Sequence, residues 1–192
     1  MNICIFGSGA IGSYIGALLM KSGIKVSLIC RGDHLKAIQN NGLLMQSAET
    51  NNEYFCKPIA TDDPNALEKQ DFIIVTLKAH SAAMTANNLT PLIKKNTTIV
   101  SAVNGLPWWY FYKVNNKFEN MRLKSVDPQN LQWDYITPKR SLGCVVYPAA
   151  EIKAPGHVFH IEGNRFPIGE PDGSISARAK TLSKILIQAG LK

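Results

Sequence analysis

Three glycines, spaced G-x-G-x-x-G within Gly7-Ser8-Gly9-Ala10-Ile11-Gly12, are the residues of this chain whose types and spacing point most directly to a chemistry, and that chemistry is phosphate binding. Gly7 permits a tight turn, Gly9 removes the Cβ that would hold backbone away from a pyrophosphate, and Gly12 lets a helix lie close on a strand. A phosphate placed there meets unpaired N–H groups at the positive end of a helix. The same spacing also occurs in structural turns with no ligand, so the neighbours decide. Ile3, Ile5 and Phe6 supply a strand before the motif. After it, Ile11, Ile15, Leu18 and Leu19 recur at helical spacing, and Gly23 stands where that helix would stop. The motif reads as the opening βα turn of a dinucleotide-binding unit.

Three further residues fall where such a unit meets its ligand. Arg31 follows the apolar run Lys25-Val-Ser-Leu-Ile-Cys30, at the strand end that reaches the adenosine ribose. An acidic residue there would hold the 2′-hydroxyl of NAD(H); a guanidinium suits a 2′-phosphate, so NADP(H) is favoured. The alternative is an ordinary exposed arginine with Asp33 turned inward. Lys78 and Asn104 close two more apolar runs, Asp71-Phe-Ile-Ile-Val-Thr76 and Thr97-Thr-Ile-Val-Ser-Ala-Val103. Open α/β sheets bind ligands along that carboxyl edge. Lys78 could equally be a solvated helix-cap lysine, and Asn104-Gly105 a turn chosen for its positive φ.

The elements that must position these residues make a Rossmann-type, doubly wound α/β fold with a mostly parallel sheet. Residues 42–60 read as a short strand pair inserted at the sheet edge, around Glu49-Thr-Asn-Asn-Glu53. Ser81 to Lys94 reads as one helix, and the aromatic cluster Trp108-Trp109-Tyr110-Phe111-Tyr112 as the start of another, followed by a polar stretch 113–139 with no sustained period. Ser141 to Tyr147, His157 to Ile161 and Arg165 to Ile168 form an antiparallel strand extension, separated by Gly and Pro turns, before a final helix between Ser174 and Leu191.

At 192 residues the chain has room for one well-cored domain. Its apolar stretches are strand-length, so no membrane span is expected, and the cytoplasm is the default location. Cys4, Cys30, Cys56 and Cys144 are far apart with no C-x-x-C, which favours buried reduced thiols over a metal site or disulfides. The net charge of +7 is concentrated after residue 100, with twelve Lys/Arg against seven Asp/Glu. A solvated basic face, or attraction of an anionic cofactor or substrate, explains that better than nucleic-acid binding beside the aromatic cluster.

Gly7-Ser-Gly-Ala-Ile-Gly12, Arg31, Val75-Thr-Leu-Lys78 and Val103-Asn-Gly105 together resemble the ketopantoate reductase (2-dehydropantoate 2-reductase) family. Ser141-Leu-Gly-Cys144, Pro155-Gly-His-Val-Phe-His160 and Pro167-Ile-Gly-Glu170 extend the likeness over essentially the whole chain. The resemblance implies NADPH-dependent reduction of the keto group of a branched 2-oxo acid, 2-dehydropantoate, on the route to coenzyme A. It implies that Gly7 to Gly12 take the pyrophosphate, that Arg31 takes the 2′-phosphate, and that Lys78 lines the cofactor cleft. Asn104 would lie near nicotinamide and substrate, with Ala149 next to the cofactor. Members of that family continue into a helical second domain that supplies the catalytic lysine; Lys192 does not match it, and no catalytic residue is assigned within residues 1–192. The expectation is a domain that binds NADP(H) with little or no turnover by itself. Homodimerisation, through apolar surface that a second domain would cover, is a further expectation. Two other readings remain open: a non-catalytic NADP(H)-sensing module with a partner docked on the aromatic segment, and a reductase of another 2-oxo acid.

Overall fold

The computed structural model describes residues 1–192. A seven-stranded sheet carries the fold. Its strands are β1 (Asn2–Phe6), β2 (Lys25–Ile29), β5 (Ile59–Thr61), β6 (Phe72–Val75), β7 (Thr98–Ser101), β8 (Ser141–Cys144) and β11 (Ile168–Gly169), in the spatial order β11, β8, β7, β6, β1, β2, β5. All neighbours are parallel except β11 on β8. The chain leaves β1 towards β2 on one side and later fills β6, β7 and β8 on the other. A crevice therefore opens over the carboxyl end of β1, at the point where strand order reverses.

A second sheet has the order β4 (Asn52–Cys56), β3 (Leu43–Ser47), β10 (His157–Glu162), β9 (Ala149–Ala154). Its central pair, β3 and β10, is parallel, flanked by two antiparallel hairpins. Residues 42–60 are thus no edge insertion: β3 and β4 leave the main sheet, and only β5, beyond Lys57-Pro58, returns to pair with β2.

Helix α1 (Ala10–Lys21) lies between the two sheets, with Gly12 to Ala17 and Leu19 all buried. It has no polar face because both its faces are covered. Ser22 and Gly23 end it, the latter at φ +85° with its amide on Met20 O. One core unites α1, the second sheet and the helices α2 (Gly32–Asn41) and α4 (Ala177–Gln188); a smaller one packs the opposite face of the main sheet. At the far edge, Glu170 receives Arg178 Nε at 2.7 Å and the Ser176 hydroxyl at 2.5 Å, joining β11 to the start of α4. All four cysteines are free and buried, and burial pushes the Cys4 and Cys144 thiols up to about 12.

Three expected elements differ. The helix over 81–94 is split into α3 (Ala79–Met84) and a 3₁₀ segment Ala86–Leu92, because Pro91 lacks an amide proton and the Thr85 hydroxyl takes Ser81 O at 2.8 Å. The aromatic cluster forms turns, not a helix: Trp108 is buried and packs edge-on against Trp133, ring centroids 6.0 Å apart. Strand β8 belongs to the parallel set, so the antiparallel part of the carboxyl-terminal region is β11 and the β9–β10 hairpin. No helix is long and apolar enough to cross a membrane.

Candidate functional site

The glycine loop leaves β1 at Gly7 with φ +99°, and a Cβ there would come within 2.5 Å of Leu77 Cδ2. Both conditions demand glycine. The loop is then held from either side. The amides of Gly7 and Ser8 donate to Ile29 O of β2 at 3.0 and 2.8 Å, and the Thr76 hydroxyl beyond β6 donates to Gly7 O at 2.7 Å. At Gly12 a Cβ would meet Thr76 Oγ1 at 2.5 Å, Ile5 Cγ2 at 2.8 Å and Gly7 O at 2.9 Å. The helix can reach the strand only without it.

Gly9 is different. Its φ of −83° is ordinary, and a Cβ there would find no atom beyond its immediate chain neighbours nearer than Gly7 O at 4.0 Å. Nothing inside the protein needs glycine at this position; the space in front of it is open. Helix α1 begins there with no side-chain cap and no acidic residue in its first turn. Its first amide with a carbonyl partner is that of Ser13, on Gly9 O at 2.8 Å, so the amides of Ala10, Ile11 and Gly12 precede the ladder. A cradle of backbone donors clear of side chains fits the pyrophosphate of a dinucleotide.

Arg31 is exposed at the carboxyl end of β2, opening α2, and none of the ion pairs involves it. Asp33 points outward, its side chain 85% exposed and 3.8 Å from Lys36. The inward-turned carboxylate that would favour a free ribose hydroxyl is not there. Lys78 is exposed at the start of α3, directly after Leu77, which packs on Gly7. Asn104 lies at the end of the β7 segment with its carboxamide paired on both sides: Nδ2 donates to Val146 O and Oδ1 accepts from Val146 N, both at 2.9 Å, leaving one N–H and one lone pair free. It clamps the ends of β7 and β8 together. Ala149 opens β9 in the second sheet, opposite Glu162, three residues after that clamp.

Ser8 belongs to the glycine motif, but the residues that hold it, Ser13, His34 and Gly156, carried no visible signal in the sequence. Ser8 and Ser13 are buried, their hydroxyls 2.9 Å apart, and Ser13 Oγ also reaches Ser8 O at 3.3 Å. His34 of α2 has Nε2 at 3.1 Å from Ser13 Oγ and accepts the Gly156 amide on Nδ1 at 3.1 Å. Burial lowers the His34 pKa from its ordinary 6.5. Gly156, in the β9–β10 turn, lies 122 residues away from it in sequence.

Further along the same carboxyl edge, a mainly apolar cavity of about 680 Å³ opens beside Asn104, lined among others by Val75, Ser101, Trp109, Gly143 and Gln132. Trp109 packs against β8, its ring carbons 3.0 and 3.1 Å from the Cβ position of Gly143. The aromatic pair is therefore part of this wall, so the alternative of a partner docked on the aromatic segment loses the bare Trp108-Trp109 surface. The edge combines a loop of free backbone amides, an unpaired guanidinium, an exposed lysine and an apolar recess.

Comparison with known proteins agrees with that arrangement. Residues 3–173 match the family model for ketopantoate reductase PanE/ApbA. A curated 2-dehydropantoate 2-reductase from Mesorhizobium japonicum is 42% identical over all of this chain, which spans 59% of that relative's length. Among solved structures, one assigned to a ketopantoate reductase from Ralstonia solanacearum MolK2 superposes with a TM-score of 0.92 at 36% identity, covering 98% of this chain and 58% of that one. A 2-dehydropantoate 2-reductase from Geobacter metallireducens GS-15 gives 0.81 at 26% identity, over 100% and 56% of the two chains.

Proposed function

The chain belongs to the ketopantoate reductase PanE/ApbA family, and from that premise we propose that its 192 residues form the NADP(H)-binding domain of a 2-dehydropantoate 2-reductase. The observation that carries the reading is the open cradle at Gly9, where the protein leaves room for a ligand and aims backbone amides at it. The amides that open α1 would hold the pyrophosphate, with Ser8, Ala10 and Ile11 shaping the loop. The Arg31 guanidinium, engaged in no ion pair, would take the 2′-phosphate. Lys78 would flank the cleft, its ammonium favouring the anionic cofactor and the carboxylate of a 2-oxo acid.

When bound, NADPH supplies the hydride for the keto carbon. Asn104 would fix the wall beside nicotinamide and substrate through its grip on Val146, with Ala149 close behind it. Ketone reduction also needs a proton at the developing alkoxide. We place that donor in the part of the relatives that this chain does not span, and expect little turnover from residues 1–192 alone.

Calorimetric titration of the chain with NADPH and NADH, beside Arg31→Ala, tests the reading. Charge-assisted hydrogen bonds to the 2′-phosphate are worth about 1.5–3 kcal/mol, so NADPH should bind roughly ten- to a hundredfold tighter than NADH. Arg31→Ala should abolish the difference. Equal affinity for the two in the unaltered chain would overturn the 2′-phosphate assignment, and vigorous reduction of 2-dehydropantoate by the chain alone would overturn the division of labour.

A further inference from the structure

The hydrogen bonds around His34 run in one direction. A backbone N–H can only donate, so the Gly156 amide at 3.1 Å requires a lone pair on His34 Nδ1. The ring is then neutral with its proton on Nε2, which donates to Ser13 Oγ at 3.1 Å. Ser13 has one proton to give, and its acceptors are the oxygens of Ser8: Oγ at 2.9 Å and the carbonyl at 3.3 Å. Neither serine can turn to water instead, because Ser8 is 2% and Ser13 0% exposed.

Ser8 is thereby held at both ends. Its amide is fixed on Ile29 O at 2.8 Å, and its oxygens are fixed by Ser13. The peptide that follows is the one that aims the cradle. The far end of the relay is equally tight: a Cβ at Gly156, where φ is +76°, would lie 3.2 Å from Ala37 Cβ and 3.2 Å from Gly42 O. The β9–β10 turn is thus seated on α2 next to the histidine it orients.

We propose that His34 is a positioning residue for the pyrophosphate loop, holding the Ser8-Gly9 backbone through Ser13 and taking its own orientation from the Gly156 amide. The second sheet, which lends no backbone to the cradle, thereby sets the cradle's shape. The inference rests on the reading of the glycine loop as a pyrophosphate site, and its test keeps the two apart.

The chain and its His34→Ala, His34→Gln and Ser13→Ala variants are titrated with two ligands. One is 2′-phospho-ADP-ribose, which spans the cradle. The other is adenosine 2′-monophosphate, which has no pyrophosphate. A positioning role predicts that His34→Ala weakens the first roughly tenfold and leaves the second unchanged. His34→Gln, whose carboxamide can both accept from Gly156 and donate to Ser13, should recover most of the loss. Ser13→Ala removes a single oxygen and should show the same selective loss even where His34→Ala fails to fold. Ring ¹⁵N shifts of the unaltered chain should report an unprotonated Nδ1. Equal weakening of both ligands, or undiminished binding of 2′-phospho-ADP-ribose by Ser13→Ala, would overturn the proposal alone. Failure of the unaltered chain to bind 2′-phospho-ADP-ribose would overturn the pyrophosphate reading, and this proposal with it.

Discussion

Gly9→Ala and Gly12→Ala make the same chemical change three residues apart and should have opposite signatures. At Gly12 the new methyl would sit 2.5 Å from Thr76 Oγ1, 2.8 Å from Ile5 Cγ2 and 2.9 Å from Gly7 O, the last a backbone atom in the loop itself. Relief requires α1 to move off β1, and α1 is pinned on its other side by the second sheet. Overpacking of this kind costs about 1–3 kcal/mol. With a urea dependence of about 2 kcal/mol per molar, a cost of about 2 kcal/mol lowers the unfolding midpoint by about 1 M. At Gly9 the nearest atom beyond the immediate chain neighbours is 4.0 Å away and φ is −83°. Alanine there reduces unfolded-state entropy but is a poorer helix cap, two effects that offset to within about 1 kcal/mol. Its methyl instead occupies the open space that we assign to the pyrophosphate. Gly9→Ala should therefore unfold near the wild-type midpoint while its NADPH affinity falls at least tenfold, about 1.4 kcal/mol. Urea unfolding followed by circular dichroism and calorimetric titration read the two quantities. A Gly9→Ala chain that binds NADPH as tightly as the parent would refute the argument that this opening is a ligand's place.

Two more outcomes follow from the geometry. Asn104→Ala removes both 2.9 Å bonds to Val146, which at about 0.5–1.5 kcal/mol each and an exposed position should cost about 1–2 kcal/mol in urea unfolding and loosen the cavity wall. His34 has its pKa lowered by burial, so the unfolded chain takes up a proton first as pH falls through 6.5. Its contribution is fully present above 6.5 and declines below it, towards the lowered folded value; unfolding stability measured from pH 7.5 to 5 should therefore fall less steeply in His34→Gln than in the parent.

Much of the sheet edge was legible because its signals are local. Gly7, Gly9 and Gly12 announce a backbone requirement within six residues, and the runs ending at Lys78 and Asn104 are continuous because a parallel strand is buried on both faces. What could not be read depends on pairing at long range. Residues 42–56 have strand pattern but no mark of their partner, which proved to be β10, more than a hundred residues on. Helix α2 escaped notice because its apolar stripe is short, with only Leu35 and Ile38 buried. The exposed half of β9, Glu151-Ile-Lys-Ala154, alternates over only four residues, too short a run with too few β-formers to betray a strand. Likewise the position of Asn104 at a strand end is legible, but not its two hydrogen bonds to Val146, which depend on the neighbouring strand. His34 and Gly156 carry no motif at all; only the packing of α2 against a distant turn brings them together.

The two outer strands of the main sheet are its shortest: β5 has three residues and β11 only two. At about 3.3 Å per residue, an incoming strand would find about half the pairing length of an ordinary one on β5 and about a third on β11. The outer strands of the second sheet are longer, five and six residues, but they carry Glu53, Glu151 and Lys153 at exposed positions. Unsatisfied edges of this kind are where proteins recruit further chains into fibres, and charge or brevity blunts each of them here. Edge-to-edge growth of either sheet is thus disfavoured by the brevity of one pair of outer strands and the charge on the other.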